Sequence, residues 1–509
     1  MKKIMPLSLG LVVLCTLLSR SHAQAPSYDQ PWRPQYHFTP PRNFMNDPNG
    51  TVFYKGEYHL FYQYNPEGNV WGHMSWGHAV SRDLVHWQNL KVALHEVPGQ
   101  YMAYSGSALV DWNNSSGLCQ NPDPQDHSCL VAIYTAAYKD RQKQHIAYSN
   151  DRGRTWTNYS GNPVADLDAP DFRDPNVFWY APQHKWVMVA VLADERTLVI
   201  LDSRDLKHWN KRSTFGPAGD TAGQWECPDL IEIPVEGSAE KKWVLIINRN
   251  PGAPAGGTGV RYLIGRFDGV NFISEIPDAP ALWADWGKDF YATNTWNDMP
   301  ASDGRQVWIG WFSNWQYANN EPTVLWRGAQ SIPRTLMLHR YGDGLRLVQR
   351  PVRELESLRR EKVRMVNVSV AEANQKLSGM RSEIYEFEAE LESGHADEIG
   401  FRLRKSKEAE TVVGFDSVHR EVFVDRTRSG EVSFSKDFPG RFSARVEQSA
   451  RIKLHAFVDR SSVEVFVNEG ERVLSDRIYP PPGSDGIEVY GSGGKVVSLT
   501  MWELNSVWK

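Results

Sequence analysis

The chain has 509 residues, too many for one ordinary hydrophobic core, so two or more domains are expected. Its net charge of −5 is mild and no Lys/Arg-rich run stands out, which argues against nucleic acid and anionic membranes as partners. Aromatic residues make up 12 %, with 20 each of Trp, Tyr and Phe, a supply of flat surfaces that suits sugar rings as well as an all-β core.

The chain opens with MKKIMPLSLGLVVLCTLLSRSHA: a basic head, an apolar run, and small residues at Ser21 and Ala23. That pattern predicts a secretory signal over residues 1–23, removed together with Cys15. No second apolar run is long enough to span a bilayer, so a secreted, soluble protein is expected, outside the cell or in a periplasm.

Past the signal, short β-branched and aromatic runs alternate with Gly, Pro, Asn and Asp clusters, which read as strands and tight turns. RNFMNDPNG (42–50) is such a cluster, and by itself it marks a turn. HMSWGH sets His73 and His78 five apart, on opposite faces of a strand, which argues against a shared metal. SRDLVHW (81–87), SNDRGRTW (149–156) and SRDLKHW (203–209) share Ser, Asp and a closing Trp. A repeating unit of four short strands suggests propeller blades, with room for five between about residues 30 and 345. Cys119 and Cys129 bracket a polar loop and form a candidate disulfide, leaving Cys227 as a lone, small, buried thiol. GAPAGGTG (252–259) reads as a loop rather than a phosphate cradle. Of the sequons, which begin at Asn49, Asn113, Asn114, Asn158 and Asn367, the first should stay bare.

After IPRTLMLHR the text changes. The charged PVRELESLRREKVRM predicts a helical linker over 346–365, between a propeller over 24–345 and a β-sandwich over 366–509. Within the latter, RIKLHAFVDRSSVEVFVNEGERV has the alternation of a hairpin.

Three acids sit in unusual settings: Asp47 in NDPNG, Asp174 in FRDPNVFWY, and Glu226 in QWECPDL. Pro48 and Pro175 should hold the preceding Asp residues extended and stiff. The first strand of a blade lines the central channel, so acids opening three blades can meet at one mouth. Glycosidic cleavage uses such a set, with one carboxylic acid for the leaving oxygen and one carboxylate across the sugar. Glu226, between Trp225 and Cys227, has the most apolar setting and is the expected acid of raised pKa. Asp47 is the expected nucleophile. Asp174, beside Arg173, should stay ionised and grip hydroxyls.

At these residues the chain resembles glycoside hydrolase family 32, the β-fructosidases. The resemblance runs from HFTPPRNFMNDPNG through WGHMSWGHAVSRDLVHW, YSGSAL, FRDPNVFW, ECPDL and DFYATNTW to IPRTL, and on to FVDRSSVEVFVNEG. It implies an all-β fold, a five-bladed β-propeller followed by a C-terminal β-sandwich. It also implies a retaining double displacement with Asp47 as nucleophile, Glu226 as acid/base and Asp174 as stabiliser. Phe44, Asn46, Gln63, Trp71, Tyr104, Ser105, Arg173 and Trp315 match positions that line the family's fructose pocket. Phe44, Tyr104 and Leu325 depart from the residues usual there (Trp, Phe and Pro), at the pocket rim where substrate preference is set. The implied substrate is a fructan (inulin or levan) or sucrose, with no metal or cofactor, acting as a monomer or homodimer. Rival readings are a fructosyltransferase or endo-acting fructanase on this scaffold, an inverting arabinose-directed furanosidase, a carbohydrate-binding propeller without turnover, and a protein-interaction propeller.

Overall fold

The computed structural model describes residues 27–508 apart from 121, 122, 124, 220, 221, 276–280, 301, 448 and 449. The expected signal segment and Cys15 lie outside the described residues. The chain is all-β: among the described residues the single α-helix is Val370–Leu377, one eight-residue element.

Between Asn43 and Pro351 the strands form five sheets, each built mainly from antiparallel neighbours. The repeated Ser/Asp/Trp motif sits at the same place in the first three, in the turn between the third and fourth strands. There the Asp carboxylate accepts backbone N–H bonds, as Asp83 does from Val85 and His86 and Asp205 from Lys207 and His208. The closing Trp donates its indole N–H back to the turn, Trp87 to Leu84 O, Trp156 to Gly153 O and Trp209 to Leu206 O. The motif is therefore a self-satisfying corner, which recurs because each sheet must turn back on itself.

The first strands of the five sheets are Asn43–Tyr54, Tyr101–Asp111, Phe172–Tyr180, Gln224–Pro234 and Tyr291–Thr295. They neighbour one another in that order, and the fifth returns to the first. Trp326–Arg327 then pairs in parallel with Asn43 and Phe44, so a late segment of the ring adds a strand to its earliest sheet.

Each of these five strands carries a register break, between Met45 and Pro48, Ala103 and Gly106, Arg173 and Asn176, Glu226 and Asp229, and Tyr291 and Asn294. A bulge places an extra residue opposite its partner strand and re-aims side chains. Five bulges on adjoining strands turn residues of all five sheets toward one space.

The second half is two sheets face to face. One has six strands from Arg359–Ser369 to Arg472–Arg477; the other has five and includes Glu398–Lys405 and Gly486–Tyr490. The expected hairpin is Arg451–Asp459 against Ser462–Val467, with Ile452, Leu454, Ala456, Val458, Val463, Val465 and Val467 all in the core between the sheets. The linker expected over 346–365 is corrected. Gly344–Pro351 is the last strand of the fifth sheet, Arg353–Leu358 is a short 3-10 helix, and Arg359 already opens the six-stranded sheet. Arg359, one of the charges that suggested a helix, is instead a strand residue that forks onto buried Glu386 at 2.8 and 2.6 Å.

The halves meet through a buried polar network. Arg334 reaches Asp285 at 3.1 Å and also bonds Glu464, while His37 lies between Asp459 (2.8 Å) and Glu464 (2.9 Å). Cys119 and Cys129 are joined by a disulfide with Cα atoms 5.1 Å apart.

Candidate active site

The five bulges set the site. NDPNG, which by its composition marked a turn, lies instead inside a first strand, and FRDPN opens another, as expected; the Asp-Pro pairs sit at the register breaks. Asp174 is not extended either: its φ is +59°, and Cys227 (+41°) and Ala292 (+50°) share this left-handed state at their own bulges. The proline after Asp174 disfavours the right-handed helical region, and the bulge takes up the rest by a left-handed residue. Such backbone costs free energy and persists where the surroundings over-determine it, commonly at functional sites.

Asp47, Asp174 and Glu226 come together. The Cys227 sulfur lies 3.6 Å from Asp47 Oδ2 and 3.7 Å from Asp174 Oδ2, so it sits between the two carboxylates. Arg173 joins the third: Nη2 donates to Glu226 Oε1 at 3.0 Å, and Nε stands 3.8 Å from Asp174 Oδ2. Asp47 is partly open to solvent from the mouth, Glu226 is 18 % exposed and Asp174 7 %.

Asp47 is held by neutral donors. Asn46 Nδ2 donates to Oδ1 at 2.9 Å and Ser105 Oγ to Oδ2 at 2.6 Å. Asn49 lies beneath, fully buried, with its amide donating to Ser105 Oγ at 3.3 Å and accepting from Gln63 Nε2 at 2.9 Å. Asp174 accepts the Cys227 N–H at 2.9 Å, and its own N–H goes to Thr135 Oγ1. Glu226 takes a hydrogen bond from the Tyr291 hydroxyl.

The electrostatics differ from the expectation. Burial pushes Asp47 up to about 7, opposed by the Ser105 hydrogen bond and reinforced by the charge of Asp174. Burial also pushes Asp174 up to about 6, with Arg173 opposing and Glu226 adding to the rise. Arg173 therefore does not keep Asp174 in the ordinary carboxylate range, because its short contact is with Glu226. Nor does Trp225 wrap Glu226 in an apolar sleeve. Trp225 packs with Leu230, Leu245 and Ile247 in a separate cluster, away from the mouth. Burial and the three carboxylates hold the Cys227 thiol well above its usual range, so it is a protonated, weak donor.

Of the expected wall residues, Tyr104 and Trp315 pack in one cluster with Cys227 and Tyr291. Trp71 stands edge-on to Tyr104, ring centroids 6.1 Å apart. Phe44 belongs to this cluster but is fully buried and stacks at 6.3 Å behind Trp315, so it backs the wall rather than presenting a surface. Gln63 is likewise committed inward, to Ala103 O at 3.0 Å and to Asn49. Three residues escaped the sequence reading: Tyr291, Asn49 and Cys227 as a member of the site. Cys227 and Asn49 stand within two residues of expected acids, a usable signal; Tyr291 has none of its own outside the DFYATNTW motif.

His73 is exposed and bonds Glu96, while His78 is buried against His59 at 3.0 Å, so the two serve different surroundings. Among the described residues one trio could reach a common cation: Glu386, Glu388 and His455, with ligand atoms within 4.8 Å of one another. The Arg359 guanidinium already neutralises Glu386 there. The trio lies in the sandwich half, apart from the three acids.

Comparison with known proteins bears on both halves. Residues 37–351 match the N-terminal domain of glycosyl hydrolases family 32, and residues 354–503 match that family's C-terminal domain. A levanase of Bacillus subtilis (strain 168) is 46 % identical over 518 residues, covering 100 % of this chain and 76 % of its own length. The crystal structure of an exo-inulinase from Aspergillus awamori superposes with a TM-score of 0.87 at 36 % identity, over 95 % of this chain and 100 % of that one. A β-fructofuranosidase from Schwanniomyces occidentalis, solved in complex with fructosyl-erythritol, gives 0.85 at 31 % identity, over 94 % and 99 %.

Proposed function

The chain belongs to glycosyl hydrolases family 32, and from that premise we propose that it is a secreted, exo-acting β-fructosidase. It would remove terminal, non-reducing β-D-fructofuranosyl units from inulin- or levan-type fructans and from sucrose. In this reading the five-sheet ring is a five-bladed propeller carrying the catalytic site, and the paired sheets after it are a supporting β-sandwich. The levanase, exo-inulinase and β-fructofuranosidase among its relatives support the substrate class.

The observation that carries the mechanism is the meeting of three carboxylates from three different strands at one mouth. Asp47 would attack the anomeric carbon. Ser105 and Asn46 aim its oxygens without neutralising them, and among the described residues no cationic side chain forms a salt bridge with it. Glu226 would protonate the leaving oxygen and then take a proton from the incoming water, its carboxyl positioned by Tyr291 and Arg173. Asp174 would bind fructose hydroxyls and stabilise the positive charge that develops on the ring. Trp71, Tyr104 and Trp315 would wall the sugar.

Purified Asp47→Ala and Glu226→Ala should fold as the parent does and lose at least ~10³-fold in kcat on sucrose. The first-released fructose should keep the β configuration, read by NMR. Near-parental hydrolysis by Asp47→Ala, or release of the inverted anomer, would sink the reading.

A further inference from the structure

The described residues expose nine large hydrophobic side chains, and four of them, Trp71 of the wall included, lie together: Val70 (49 % exposed), Trp71 (39 %), Val324 (88 %) and Leu325 (48 %). They come from two loops far apart in sequence. The loops are tied by side-chain-to-backbone bonds: Asn69 Nδ2 donates to Val324 O at 2.7 Å, and the Trp71 N–H donates to Asn319 Oδ1 at 2.8 Å. Arg327 sits beneath both, its Nη1 donating to Asn69 O at 2.6 Å and its Nη2 to Glu321 O at 2.8 Å. The patch is also fastened to the wall of the mouth, because the Asn43 N–H bonds Leu325 O at 2.8 Å and the Phe44 N–H bonds Gly68 O at 3.0 Å.

This is an apolar ledge held in place by its backbone, and it is continuous with the site through Trp71, whose ring meets Tyr104 beside Ser105. Clustered exposed apolar residues at a cleft mark a contact surface, since scattered ones need no explanation but a fixed group does. From the ledge we infer a platform for a fructan chain: its second and later fructofuranosyl units lie across Val70, Val324 and Leu325, ring C–H faces and methylenes against the aliphatic side chains. The inference rests on the fructosidase reading and adds to it a preference for chains over the disaccharide. Sucrose has one unit beyond the scissile bond, so it gains least from a surface that extends outward from Trp71.

The test is the double variant Val70→Ser/Val324→Ser, two exposed positions that leave the three acids and Trp71 untouched. Kinetics are measured on sucrose and on an inulin-type oligosaccharide of about six units. The expected result is a fall of about tenfold in kcat/KM on the oligosaccharide, carried by KM, with sucrose within twofold of the parent. Equal loss on both substrates, or no change on either, overturns the platform while the parent's activity leaves the fructosidase reading standing. A sedimentation shift showing that the parent pairs through this face and the variant does not assigns the ledge to a second copy of the chain and also overturns it. A folded parent that cleaves neither substrate removes the fructosidase reading, and the platform with it.

Discussion

The Ser105 hydroxyl donates to Asp47 Oδ2 across 2.6 Å, joining the first strand of the second sheet to the first strand of the first. This bond opposes the rise that burial imposes on the Asp47 carboxyl. Ser105→Ala should therefore move the acidic limb of the kcat/KM profile to higher pH, by up to ~1 unit, and lower the maximum about tenfold. Full pH–rate profiles of parent and variant decide it; a limb that stays in place would separate this hydroxyl from the titration.

Asp47 also makes stability depend on pH. Its folded value of about 7 lies above the ordinary aspartate value near ~3.9, so the unfolded chain ionises first as pH rises. Its contribution to stability is intact below about pH 4, is lost progressively from there to about pH 7, and stays lost above. Asp174, up to about 6, adds loss over the lower part of the same window. Asp47→Asn should accordingly melt with the parent at pH 4 and a few degrees higher, roughly 2–6 °C, at pH 7.5. Thermal melts at the two values test the sign. A variant less stable than the parent at pH 7.5 contradicts it.

Tyr291 gives its hydroxyl to Glu226, and burial with the Glu226 charge beside it keeps that phenol protonated far above neutrality. Tyr291→Phe removes a donor from Glu226, the proposed acid/base, and nothing else of the wall. The expected outcome is a fall in kcat of about 10- to 100-fold with little change in melting temperature. Steady-state kinetics beside a melt would show whether the role is chemical; equal loss of both would make it structural.

Arg334 is fully buried between Asp285 and Glu464, and Glu464 also accepts from His37 and from the Ile332 N–H. Replacing the guanidinium with methionine leaves two buried carboxylates without their cation, a cost of about 3–5 kcal/mol. Arg334→Met should be much less stable than the parent, and Arg334→Met/Glu464→Gln partly recovered. Urea unfolding of the two variants measures the difference; additive losses would remove the coupling.

Much of the fold was legible in local patterning. Alternation placed Ile452, Leu454, Ala456 and Val458 in a hairpin facing the core, and a recurring Ser/Asp/Trp motif marked the corners of three sheets. The charged stretch after Pro351 misled, because charge alone does not separate a solvated helix from a strand whose Arg359 meets Glu386 27 residues later. The same limit applied to the acids. Asp47, Asp174 and Glu226 were recognisable from their motifs, but Glu226 was assigned its surroundings from Trp225 and Cys227, its neighbours in the chain.

The sequence by itself determined which residues are available for chemistry and which segments become strands, since side-chain type and period-two alternation act over a few residues. Only the tertiary structure decided how those residues are used. Arg173 faces Glu226 more closely than the adjacent Asp174, Cys227 lies between two carboxylates, Tyr291 reaches Glu226, and Phe44 backs a wall instead of forming its surface. Charge interactions and hydrogen bonds depend on distance through space, and five bulged strands around a ring set those distances between residues tens to hundreds of positions apart.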